Sequence, residues 1–84
     1  DEGRGYHPGD PNSGIIFDNL PGGAVVTVYT VTGRRVKRME APSGGRIQWD
    51  ARNEDGRDVA TGGYVAVVTS PGQQTVSRVI AVIR

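Results

Sequence analysis

The segment Asp50-Ala51-Arg52-Asn53-Glu54-Asp55-Gly56 sets oxygen-bearing side chains before a glycine, the pattern by which calcium loops surround a cation. With Gly56 at the sixth position of such a loop, Asn53 and Asp55 fall on ligand positions. The first position is then Ala51, and Gly62 stands where a bidentate glutamate belongs. The ligand set is incomplete, so the segment reads as a turn whose Asp and Asn side chains bond their own backbone. Arg34-Arg35-Val36-Lys37-Arg38 concentrates positive charge as a nucleic-acid patch would. On a strand, however, alternate side chains face opposite ways, and no aromatic is interleaved to stack on bases. An edge strand guarded by charge accounts for the run.

His7 is the single histidine and stands in a Gly/Pro-rich stretch, away from any rigid frame that could orient it against a nucleophile and an acid. There is no cysteine, so a metal site would lack both thiolates and a second imidazole. Trp49 has the aromatic face of a sugar platform, but Ile47 lies two residues back on the same side of a strand, which points to the core instead. Glycan binding would need Trp49, Tyr29 or Tyr64 exposed together on one face. These residues predict a chain with no catalytic group, no cofactor and no metal.

The elements that carry these residues are strands. Eighty-four residues make one domain, which buries only about 60–65% of the surface its unfolded chain exposes. Hydrophobic residues are 36% of the chain and aromatics 6%, so the core must be built chiefly from β-branched side chains that fit a pleated sheet. Thirteen glycines and five prolines break the chain too often for any sustained helical period. The expected class is all-β, an immunoglobulin-like antiparallel β-sandwich of about seven strands.

Residues 1–14 have the composition of a linker or a first edge segment, and residues 15–84 make the sandwich. Strands are expected at Ile15-Ile16-Phe17, from Val25 to Val31, from Arg34 to Met39, from Arg46 to Trp49, from Tyr64 to Thr69 and from Thr75 to Ile83. The alternation nominates Val26, Val28, Val36, Ile47 and Trp49 as core. Arg34 to Met39 has the charge of an edge, whereas Tyr64 to Thr69 is nearly all apolar, as a central strand would be.

Formal net charge is +1, which provides no field to steer the chain to nucleic acid or an anionic membrane. No apolar run is long enough to span a bilayer, so membrane insertion is not expected. Because the chain begins with Asp1, it reads as a fragment of a longer precursor.

Several stretches taken in order resemble one family. Pro8-Gly9-Asp10, Phe17-Asp18-Asn19-Leu20-Pro21, the hairpin Val28-Tyr29-Thr30-Val31-Thr32-Gly33-Arg34-Arg35-Val36, Trp49-Asp50, Gly62-Gly63-Tyr64 and the terminal Arg78-Val79-Ile80-Ala81-Val82-Ile83-Arg84 are similar to motifs of the C-terminal sorting domain of type IX secretion. A sister version of that module occurs in the flagellar hook-capping protein. The likeness covers residues 8–84.

The resemblance implies a module that directs an attached N-terminal passenger from the periplasm to the cell surface or medium. Its implied partners are the outer-membrane secretion machinery and a sortase-like peptidase that removes it. Gly62 and Tyr64 would hold the shape of the signal, and Arg78, Ile83 and Arg84 would form its contact surface. The competing reading is an immunoglobulin-like spacer, or an accessory module of a surface enzyme that binds carbohydrate or protein.

Overall fold

A computed structural model describes residues 15–83 of the chain. The described residues form six strands: β1 (Ile15–Leu20), β2 (Ala24–Thr30), β3 (Arg35–Ala41), β4 (Gly45–Trp49), β5 (Gly62–Thr69) and β6 (Val76–Val82). They pair antiparallel into a two-stranded sheet, β1-β4, and a four-stranded sheet ordered β3-β2-β5-β6. The result is an immunoglobulin-like β-sandwich with no helix among the described residues.

Period-2 alternation builds the larger sheet. Ala24, Val26 and Val28 of β2 point inward and are fully buried, while Val25, Thr27 and Tyr29 between them are half-buried on the outer face. The register carries this alternation across all four strands. One inward row runs Lys37, Val28, Ala66, Arg78, with two buried apolar residues between two cations at the sheet's margins. The next outward row runs Arg35, Tyr29, Val65, Val79.

Trp49, at the end of β4, is the largest fully buried side chain, 1% exposed, and packs among Ile15, Phe17, Tyr64 and the inward valines in one cluster. Each fully buried valine in that cluster is worth about 1.5–3 kcal/mol of transfer free energy. Ile47 pairs with Phe17 but is only partly buried, because β4 has no strand beyond it among the described residues.

Three details depart from expectation. Six strands are described, not about seven. The stretch from Asp50 to Thr61 is folded on itself by local hydrogen bonds and contributes only an isolated bridge, Arg52 to Asp58, while the possible edge segment within residues 1–14 lies outside the described residues. The β2–β3 hairpin is also wider than a two-residue turn at Thr32-Gly33. Thr30 N–H bonds Arg34 O, the Thr30 hydroxyl accepts Arg34 N–H, and Gly33 takes φ +95°, so Val31 leaves the strand and is 72% exposed.

Finally, Gly44 proves to be a packing position as well as a loop residue. At φ +75° a Cβ there would stand 2.5 Å from Leu20 O and 2.9 Å from both Gly22 N and Pro21 C, so the β3–β4 turn can lie on the β1–β2 turn only with glycine present.

Candidate recognition surface

A loop and the strand it feeds define one end of the sandwich. Trp49 donates its indole N–H to Arg52 O at 2.9 Å, and Tyr64 donates its hydroxyl to Ala60 O at 2.6 Å. The two rings meet edge to face, with centroids 6.0 Å apart and planes at 73°. Each aromatic thus packs its body in the core and ties its polar tip to the backbone of the Asp50–Thr61 loop. The tyrosine bond back to a carbonyl four residues upstream is the tyrosine-corner device of immunoglobulin-like sandwiches.

Within the loop, Asn53 Oδ1 accepts the N–H groups of Asp55 and Arg57, each at 3.0 Å, and Asp50 Oδ1 accepts Arg52 N–H at 3.2 Å. Ala51, buried and held at φ +60°, accepts Val59 N–H through its carbonyl at 3.0 Å. Asn53 Oδ1 and Asp50 Oδ1 are therefore turned onto the loop's own backbone. Among the described residues no cluster of three or more acidic or histidine side chains could hold a metal.

The nominated surface residues are spread along this end and its neighbouring strand. Gly62 opens β5 with a nearly extended φ of +159° and open space where a Cβ would project. Tyr64 is buried, Arg78 is exposed on β6, and Ile83 lies just past β6 at 52% exposure. Arg84 lies outside the described residues. Val26, Val28 and Val36 are buried in the core with Trp49. Because Trp49 and Tyr64 are buried and Tyr29 is half-buried, the three aromatics offer no shared face to a sugar.

The two margins of the larger sheet are built differently. At β3, Glu54 lies along the edge: its N–H donates to Val36 O at 3.1 Å, its Oε2 accepts Arg38 N–H at 2.9 Å, and its Oε1 meets Lys37 Nζ at 3.9 Å. A register shift between Val28 and Tyr29 bends this pairing further. At β6 the register with β5 is unbroken from Gly62–Val82 to Val68–Val76, and Val79 is 79% exposed. Between β6 and β1 lies an open cleft of about 840 Å³ lined by Ile16, Phe17, Leu20, Val76, Arg78 and Ile80 among others. It exists because a two-stranded sheet cannot cover the inner face of a four-stranded one.

Sequence reasoning singled out Arg78 and the terminal strand but missed Glu54, Ala51 and Gly44. Glu54 is one acid among several in a polar turn, and nothing in its spacing marks it as an edge cap.

The fold and its loop define the class: a small immunoglobulin-like sandwich closed at one end by a Trp–Tyr pair. No protein-family model matches the chain, and no curated protein matches it. It is similar to part of a solved structure of PorZ from Porphyromonas gingivalis, described as an essential bacterial surface component of the type IX secretion system. The two share 30% identity with a TM-score of 0.79 over 99% of this chain. The chain spans 11% of the length of that protein.

Proposed function

We propose that this chain is a module of the type IX secretion pathway, acting at the bacterial surface as a non-catalytic sorting domain for a covalently attached passenger. The observation that carries the reading is the similarity to PorZ, which runs through essentially the whole module at 30% identity. The folded sandwich is the address: the passenger crosses the periplasm, the outer-membrane machinery engages the module, and a sortase-like peptidase releases it. Gly62 and Tyr64 belong to the frame that keeps the address folded. Arg78, Ile83 and Arg84 belong to the surface that is read.

The reading is tested by deleting the module from the longer protein that carries it, in the native host. A sorting domain leaves the truncated protein in the periplasm. Export of the truncated protein at the normal level refutes the sorting role and favours a retained structural spacer, a role open to the module because PorZ is itself a surface component. Mass measurement of the exported protein then separates a released module from a retained one.

A further inference from the structure

The inward row Lys37, Val28, Ala66, Arg78 places one cation at each margin of the four-stranded sheet. At the β3 margin the chain itself shows how such an edge is closed. Glu54 sets a carboxylate 3.9 Å from Lys37 Nζ, and the same residue occupies the edge's backbone, donating to Val36 O and accepting from Arg38 N–H.

At the β6 margin Arg78 occupies the matching place but forms no ion pair among the described residues. Every second N–H and C=O of an edge strand points away from its sheet, so β6 presents a row of backbone groups beside Arg78. The strand has no register shift against β5 and no proline. Beside it runs the cleft, whose far wall is β1.

We infer that β6 is a receptor edge for an extended polypeptide segment of a partner protein, one carrying a carboxylate that pairs with Arg78 while its backbone adds a strand to β6. Three features select that occupant. The backbone row, without a strand partner among the described residues, is complementary to another β-strand. The apolar cleft wall formed by Ile16, Val76 and Ile80 receives alternate side chains of such a strand. An inward-facing cation on an edge penalises pairing with basic strands and favours an acidic one, which makes Arg78 a selectivity device as well as a guard against aggregation. This inference stands on the edge geometry and goes beyond the sorting role, since it specifies how a partner binds rather than where the protein goes.

The test uses the full chain, isotopically labelled for NMR, and a short synthetic peptide in which threonine alternates with valine, glutamate, isoleucine and valine. The expected result is a saturable shift of the β6 and β1 amides, with new protection of β6 amides from hydrogen exchange. A peptide methylated on alternate backbone nitrogens should fail to bind. Arg78→Gln, an exposed change, should weaken the glutamate peptide about two- to fivefold while leaving its glutamine counterpart unchanged. Absence of peptide binding at millimolar concentration overturns the inference, as does equal binding of the methylated peptide. So do shifts centred on the outer row at Tyr29 and Val65. Protection of β6 amides already complete in the free chain at high dilution would mean that the chain's own residues fill the edge. Protection that grows with protein concentration would mean that a second copy does, and either result replaces the partner strand. None of these readouts depends on secretion, so failure here and failure of the sorting role remain separable.

Discussion

Replacing Gly44 with alanine should damage this fold more than the same change at the adjacent Gly45, and the size of the difference follows from geometry. Both glycines hold positive φ, +75° and +93°, so each alanine bears a left-handed backbone cost of about 1–2 kcal/mol. At Gly45 the new methyl meets nothing within 4 Å, and the cost ends there. At Gly44 it meets Leu20 O at 2.5 Å and Gly22 N at 2.9 Å, which are backbone atoms of a turn that cannot rotate aside as a side chain would. Displacing that turn adds roughly 1–3 kcal/mol, the usual range for overpacking a well-filled site. Gly44→Ala should therefore lose roughly 2–5 kcal/mol, and fall below Gly45→Ala by about 4–8 °C in Tm for each kcal/mol of the difference. Thermal and urea unfolding followed by Trp49 fluorescence measures both variants. Equal stabilities within about 0.5 kcal/mol would refute the close approach of the two turns.

Tyr64→Phe keeps the ring against Trp49 but removes the bond to Ala60 O, and should cost about 1–1.5 kcal/mol by urea denaturation. Glu54→Ala strips the carboxylate from the β3 edge, and should cost about 0.5–1.5 kcal/mol and raise the concentration-dependent association seen by light scattering. Calcium at millimolar concentration, or its removal by chelator, should leave Tm unchanged, because Asn53 Oδ1 already accepts two loop N–H groups while Ala51 and Gly62 offer no side-chain oxygen at the first and twelfth loop positions. A calcium-dependent rise in Tm would contradict that loop geometry.

Much of the architecture was legible because the strands obey a period of two. The alternation of Val26 and Val28 with Thr27 and Tyr29 declares a strand and its inward face without any tertiary information. The polar run at β3 likewise declares an edge, and the apolar run at β5 a strand with neighbours on both sides. Trp49 was readable as core from Ile47 on the same face.

What stayed hidden depends on contacts between segments distant in sequence. Gly44 looks like any loop glycine until the turn at Leu20–Gly22 is laid on it. Ala51 gives no sign of its left-handed backbone, since alanine is not a residue chosen for that conformation. Glu54 becomes an edge cap only when the loop swings beside β3, and Arg78 acquires meaning only as its counterpart across the sheet. The partial exposure of Ile47 follows from the narrowness of the β1-β4 sheet, a property of strand order that single-strand patterns do not carry.

Whether this module is an export address is decided by transplanting it. A fluorescent protein directed to the periplasm and carrying residues 1–84 at its C-terminus is expressed in a bacterium with type IX secretion and in a mutant lacking that system. An export address carries the reporter to the surface or medium only in the intact strain. A reporter that stays in the periplasm of both strains, from a host that exports a native cargo normally, contradicts it.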